Sequence, residues 1–253
     1  MIEITSLTNN IVKDVVKLQQ KKFREDSGLF LLEGKKPIEE AIANKVELLR
    51  VFALNPDELP TTKQEFEIIK TNEAVLKKIS TTDTAPTMVA VGKQKIINND
   101  WLKKAKKIVL FEDIKDAGNL GTILRTASAF NIDGIILYGN TVDLYNPKCV
   151  RASVGNLWKN NILKINSIEE LKNHLNIFTK IGTLPKCENS EYLNNFNFPE
   201  RTCLFFGSEA DGLSKDLKSL TDTNITIEMN PTVESLNLAV SASIIMYKMR
   251  SIW

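Results

Sequence analysis

The sequence predicts an α/β protein in two parts, a small mixed α/β unit followed by a larger domain built on a parallel sheet. Three observations carry this expectation. From Lys107 onward, short apolar strand segments alternate with helical patterns, as in a sheet covered on both faces. The first of these segments, Ile108-Val109-Leu110-Phe111, is apolar without interruption, which suits a strand buried on both sides. Ahead of it, the polar run Ile97-Asn98-Asn99-Asp100 and a group of lysines set off a stretch of different texture. The boundaries that follow are residues 1–95 for the first domain, 96–106 for a linker and 107–253 for the second.

Each element has its own signal. Residues 9–23 place Ile11, Val12, Val15, Val16 and Leu18 at helical spacing, with lysines on the other face. Leu29-Phe30-Leu31-Leu32 reads as a short buried strand ending at Glu33-Gly34, and Pro37 suits the first turn of a helix reaching Asn44. Residues 48–54 and 66–69 are further strands, 73–79 a short helix and 87–92 the closing strand. In the second domain a glycine-containing loop follows the first strand, then a helix over 120–130 and a strand over 134–138. Later strands fall at 178–184, 202–206 and 224–229, and a last helix at 235–250. No internal repeat is visible.

Composition excludes several classes. Hydrophobic residues are 43% and charged residues 25%, the ordinary globular balance, and 11 glycines with 8 prolines exclude collagen-like or low-complexity designs. The apolar stretch at 238–247 is far short of the roughly 20 residues a membrane span needs. Residues 1–16 mix Glu3, Lys13 and Asp14 with short apolar pairs, unlike a signal peptide. A cytoplasmic protein without membrane attachment is expected. One histidine, His174, and three cysteines, Cys149, Cys187 and Cys203, with no C-x-x-C pair, argue against a zinc site, and no metal is expected. His174 falls about two turns into an amphipathic helix that Ser167 and Glu170 open with capping-box spacing, so it reads as a solvated helix residue. The cysteines read as small buried hydrophobes.

The net charge of +2, 33 basic against 31 acidic residues, does not announce nucleic acid. Two local clusters do stand out. Lys17, Lys21, Lys22 and Arg24 lie near the N-terminus, and six lysines from Lys93 to Lys107, Lys103 and Lys104 among them, face one acid, Asp100. Each lysine can neutralise a phosphate. On their own both clusters read first as solvated faces.

Three strand ends carry unusual polar residues, at the place where open parallel sheets bind ligands. The first runs Glu112-Asp113-Ile114-Lys115-Asp116-Ala117-Gly118-Asn119-Leu120-Gly121, with Arg125 further along the helix. It is neither a dinucleotide fingerprint nor a phosphate loop. Read alone, Asn119 is a helix cap and Arg125 a surface residue. The second, Gly207-Ser208-Glu209-Ala210-Asp211-Gly212-Leu213, offers glycines that admit a close ligand and an acid that could bind one. The third, Glu234-Ser235-Leu236-Asn237, opens the last helix, so that Ser235 and Asn237 are either caps or substrate contacts.

In this order and spacing the three segments resemble the motifs of the SpoU (TrmH-like) RNA ribose 2′-O-methyltransferases of the SPOUT superfamily. The resemblance covers the chain from about Lys107 onward, and Phe30-Leu31-Leu32-Glu33-Gly34 with Ile38, Glu40 and Ala41 looks like the RNA-binding domain that many members carry. Ala117 and Leu238 depart mildly from the family pattern. The resemblance implies an α/β methyltransferase domain with a deep trefoil knot, preceded by a small α/β RNA-binding domain. It implies a homodimer and S-adenosylmethionine as methyl donor, with S-adenosylhomocysteine as product. By position the cofactor contacts fall on Thr183, Leu184, Gly207, Glu209, Gly212, Ile227, Met229 and Leu236. Arg125 takes the catalytic position, with Asn119, Glu209, Ser235 and Asn237 orienting arginine, ribose and donor. A guanidinium holds its proton too tightly to be a good base, so electrostatic stabilisation of the attacking oxygen is favoured over literal proton removal. Lys21, Lys22, Arg24, Lys35, Lys103 and Lys104 become RNA contacts under this reading, with ribosomal RNA preferred to tRNA. The competing expectation is a SpoU-like RNA-binding protein without catalysis.

Overall fold

The computed structural model of the 253-residue chain describes residues 2–95, 99–185 and 190–250. Residues 96–98 of the expected linker and Cys187 lie outside the described residues. In chain order the first elements are β1 (Ile2–Ile4), α1 (Asn10–Lys17), α2 (Lys21–Ser27), β2 (Leu29–Glu33), α3 (Lys35–Ala43), β3 (Leu48–Ala53), β4 (Glu67–Thr71), α4 (Glu73–Ile79) and β5 (Met88–Lys93). They build a mixed five-stranded sheet in the order β1-β4-β3-β5-β2, in which β5 runs antiparallel to both β2 and β3. Its core joins Val12 and Val15 of α1 and the capping residue Leu18 to Leu31, Phe52, Ile69 and Val89 of the sheet.

The helical period at 9–23 is divided in two by a polar interaction that the periodicity does not reveal. Arg24 is 2% exposed, and its guanidinium donates to the carbonyls of Leu18 and Gln19 at 2.8 and 2.9 Å. Those carbonyls close α1, and the chain turns into α2. The same guanidinium pairs with Asp143 at 2.6 Å. Arg24 is therefore removed from the expected RNA contacts, because a buried, fully engaged guanidinium has no face left for phosphate.

The following elements are β6 (Lys107–Glu112), α5 (Ala117–Ala129), β7 (Gly134–Tyr138), α6 (Pro147–Ser153), β8 (Ile162–Ile165), α7 (Ile168–Leu175), β9 (Thr179–Thr183), β10 (Ser190–Tyr192), β11 (Thr202–Phe206), α8 (Lys215–Leu220), β12 (Thr223–Thr226) and α9 (Leu238–Met249). Seven strands form an all-parallel sheet in the order β10-β12-β9-β11-β6-β7-β8. Strands β1, β8 and β10 and helix α8 are too short to leave a periodic signal. No described helix is long and apolar enough to cross a membrane.

The chain forms two compact units, and their membership differs from a division at one linker. The first holds residues 2–95 together with Asp143–Lys159, and the second holds 99–142 and 160–250. Residues 143–159 join the first unit for identifiable reasons. Asp143 pairs with Arg24, Arg151 with the buried carboxylate of Glu33, and Tyr145 and Trp158 place their rings 4.9 and 5.3 Å from that of Phe30. Residues 99–106, expected as linker, belong to the second unit, where Leu102 and Ala105 are buried in the core. Trp101 lies over Gly134 so closely that a Cβ there would stand 2.1 Å from the indole.

Candidate active site

Strands β6 and β11 are parallel neighbours, paired through Phe111 and Phe206, and both expected loops leave from their carboxyl ends. At the end of β6 the cap of α5 is Asp116, whose Oδ1 accepts from the Asn119 backbone N–H at 2.8 Å. The cap role read for Asn119 thus passes to Asp116, and the Asn119 amide is free for other work. It donates from Nδ2 to Glu209 Oε1 at 3.2 Å, in the loop after β11. Its Oδ1 accepts from Asn237 Nδ2 at 3.1 Å, ahead of α9. One asparagine therefore joins all three segments.

Of its two expected roles Asn237 performs the cap, and its amide also reaches Asn119. Its Oδ1 caps α9, accepting from the N–H groups of Ala239 and Val240 at 2.9 and 3.3 Å. Capping uses the amide oxygen alone, so the NH₂ remains for Asn119. The sequence places the helix start at 235; the cap places it at Leu238. Strand β12 likewise ends at Thr226 where 229 was expected. Residues 227–237 are thereby released as a loop, and that loop makes a pocket.

This pocket has a volume of about 150 Å³. Thr183 and Leu184 at the end of β9, Ile227, Met229, Ser235 and Leu236 of the loop, and Ser241 and Ile245 of α9 are among its walls. Five of the expected cofactor residues are thus brought together with Ser235. Gly207, Glu209 and Gly212 are not among its lining. Thr183 also donates from its hydroxyl to the Phe205 carbonyl at 2.8 Å, which ties the pocket wall to β11.

Gly207 has a reason other than ligand approach. A Cβ there would stand 1.9 Å from the carbonyl carbon of Gly212 and 2.1 Å from the Leu213 nitrogen. Ser208 and Gly212 exchange backbone hydrogen bonds at 3.1 and 3.2 Å, closing the loop upon itself. Gly212 takes φ +67°, in the left-handed region that favours glycine, and nothing lies near the position of its absent Cβ. The loop's exit is held by Glu112, a buried residue whose Oε2 accepts from the Ser214 N–H at 2.8 Å. The sequence gives no functional signal for Glu112 beyond its place in the first segment.

Arg125 is exposed on α5 and has no hydrogen-bond or ion-pair partner among the described residues. Thr126, next to it, meets Ser243 of α9 at 3.1 Å between hydroxyls. Helix α9 buries Ala239, Ala242, Ile245, Met246 and Met249 within the unit. Its exposed apolar residues are Val240, Ile244 and Tyr247, at 47%, 40% and 53%. Lys21, Lys22, Lys35, Lys103 and Lys104 are all exposed. His174 stands near the end of α7, 3.7 Å from Glu170, outside this site. Cys149 and Cys203 are buried, and burial pushes the Cys203 thiol well above its usual range. No cluster of three or more His, Cys, Asp and Glu suited to a metal occurs among the described residues.

Comparison with known proteins agrees with this geometry. The model of the SpoU rRNA Methylase family matches residues 106–247, and that of the MRM3-like substrate binding domain matches residues 9–90. The 23S rRNA (guanosine(2553)-2′-O)-methyltransferase RlmP of Bacillus subtilis is 29% identical over 99% of this chain and 100% of its own length. The 23S rRNA (uridine(2479)-2′-O)-methyltransferase of Streptomyces viridochromogenes is 28% identical over 89% of this chain and 83% of its own. Among solved structures, an AdoMet-bound rRNA methyltransferase from Sinorhizobium meliloti superposes with a TM-score of 0.86 at 27% identity, covering 97% of this chain and 96% of that one. The SpoU methyltransferase AviRb from Streptomyces viridochromogenes, in complex with AdoMet, gives 0.84 at 26% identity over 95% and 96%.

Proposed function

The chain belongs to the SpoU rRNA Methylase family, and from that premise we propose that it transfers the methyl group of S-adenosylmethionine to a ribose 2′-hydroxyl of ribosomal RNA. The observation that carries this reading is the hydrogen-bonded series Glu209–Asn119–Asn237, which joins the two loops leaving β6 and β11 to the lip of the 150 Å³ pocket.

The pocket suits an adenosyl ligand in its chemistry. Leu184, Ile227, Met229, Leu236 and Ile245 offer flat apolar walls to a purine, and the Ser235 hydroxyl adds a polar edge. S-adenosylmethionine supplies, when bound, an electrophilic methyl on a sulfonium sulfur. Everything else falls to the chain. Arg125 offers a planar fork of donors, uncommitted to any described partner, to the ribose oxygen as negative charge develops there and to the neighbouring phosphate. Asn119, fixed at both ends of its amide, holds the loops that frame the acceptor. The larger share of the rate comes from alignment of acceptor and donor, which in well-oriented systems is worth about 7–11 kcal/mol.

Ribosomal RNA is preferred to tRNA because the RlmP likeness extends over 99% of this chain, the matched substrate-binding region included. The two relatives act on different nucleosides, guanosine and uridine, so the target base is not carried over. The exposed residues Val240, Ile244 and Tyr247 recur at i, i+4 and i+7 on one side of α9, and their partner under this reading is the same helix of a second copy.

Incubation with radiolabelled S-adenosylmethionine and either ribosomal RNA or DNA of matching sequence tests the reaction. Label should enter RNA alone, in ribose. Equal incorporation into DNA, or label on the base, would remove the 2′-hydroxyl from the reading.

A further inference from the structure

The first unit holds a second cavity, of about 270 Å³, remote in sequence from every residue of the candidate active site. Val15 of α1, Leu18 just after it, Leu29 of β2, Leu49 of β3 and Val91 of β5 give it an apolar lining, and Phe23 of α2 contributes an aromatic ring. The buried guanidinium of Arg24 fixes the α1–α2 turn by its bonds to Leu18 and Gln19, and so sets where the neighbouring Phe23 stands.

We propose that this cavity receives one unpaired nucleobase of the RNA, stacked on Phe23. The proposal rests on the reading of the chain as an RNA methyltransferase, and it adds a place where the substrate is gripped apart from the reacting ribose.

Charge at the mouth favours a polynucleotide over an apolar peptide. Lys17 and Arg50 are among the cavity's lining, and Lys13 of α1 and Lys22 of α2 are exposed with no ion-pair partner among the described residues. Lys17 meets Asp14 at 2.8 Å and Arg50 meets Glu67 at 3.5 Å. Surface pairs of this kind are weak and screened by solvent and salt, so either cation exchanges readily onto a phosphate. Asp14, also at the mouth, is held below the usual carboxylate range, chiefly by its hydrogen bond from Lys17. An ionised carboxylate repels phosphate but accepts from the amino and imino N–H groups on a base edge. Apolar walls, one aromatic face, an acceptor for base N–H and surrounding cations are together the requirements of a base pocket beside a backbone track.

The matched substrate-binding region, residues 9–90, contains all of the lining except Val91.

The test uses the full chain and fluorescence anisotropy with two labelled probes, a single-stranded RNA hexanucleotide of mixed sequence and an abasic ribose-phosphate chain of the same length. Phe23→Ala removes the stacking face, and Leu49→Trp fills the cavity. Melting temperature and S-adenosylmethionine affinity report whether each variant is folded. The hexanucleotide should bind the wild type roughly tenfold or more tightly than the abasic chain, and both substitutions should abolish that advantage while cofactor affinity is retained. If the abasic chain binds equally well, or if both folded variants bind the hexanucleotide as the wild type does, the cavity takes no base. The same conclusion follows if the wild type binds ribosomal RNA but not the hexanucleotide. In each of those cases the methyltransferase reading stands. A wild type that binds no RNA at all would bring down both.

Discussion

Asn237 donates from Nδ2 to Asn119 Oδ1 at 3.1 Å while its own Oδ1 caps α9, so one side chain starts a helix and holds the series Glu209–Asn119–Asn237 together. The two functions use different atoms of the amide and can be separated. Asn237→Asp keeps an oxygen for the cap and replaces the donor with a second acceptor facing Asn119. It should melt within a degree or two of the wild type and lose methyl transfer. Asn237→Ala should lose transfer and, by calorimetry, about 1 kcal/mol of stability as well.

Arg125 should be needed for turnover and not for folding. Arg125→Ala and Arg125→Lys both alter an exposed side chain, and such changes stay within about 0.5 kcal/mol of stability. Loss of the guanidinium fork should lower the single-turnover rate by roughly 10²–10³-fold, with S-adenosylmethionine affinity unchanged within a few-fold. A lysine variant with the wild-type rate would show that charge alone suffices.

Glu112→Ala should act through the loop that carries Glu209. The buried carboxylate accepts from the Ser214 N–H at 2.8 Å, and its removal leaves that donor without a partner, at a cost of about 1–3 kcal/mol. Urea denaturation should show the loss. Glu112→Gln retains an amide oxygen as acceptor and should recover most of it.

The two glycines of the second loop should behave differently. Gly212→Ala meets no neighbouring atom and bears only the strain of a left-handed backbone, about 1–2 kcal/mol, so it should fold. Gly207→Ala would drive a methyl group into the backbone of residues 212 and 213, and should yield insoluble protein or a displaced loop with Glu209 out of reach of Asn119. Comparable solubility and activity for the two variants would contradict the packing described.

Assembly can be separated from folding on α9. The wild type should scatter light as two 28.5 kDa chains. Ile244→Arg changes an exposed residue and should give a folded monomer. Ala242→Arg places a charge where the side chain is 0% exposed, and should unfold the second unit whatever its oligomeric state. A wild type that is monomeric and fully active would show each active site to be complete in one chain.

Much of the architecture is legible from local pattern. The buried strands at Lys107–Glu112 and Thr202–Phe206 follow from apolar runs and the helix at Glu73–Ile79 from apolar spacing, which are properties of neighbouring residues. The polar residues of the three loops are legible too, because strand ends and glycines announce themselves. The role of each is not. Asp116 and Asn119 are both suitable caps, and only the folded loop decides that Asp116 caps α5 while Asn119 turns to Glu209.

By itself, then, the sequence determines the alternation of strands and helices, the division of texture near residue 100 and the three polar segments with their order. These depend on side chains close together in the chain. Tertiary structure decides where α1 stops, because Arg24 reaches carbonyls five and six residues away and an aspartate at 143. It decides that Asp143–Lys159 packs with the first unit, because Glu33, Phe30 and Arg24 hold partners there. It also decides that Gly207 is required by the backbone of its own loop. Each of these outcomes satisfies a buried charge or a close contact between groups distant in sequence, and no local pattern encodes which distant group will supply it.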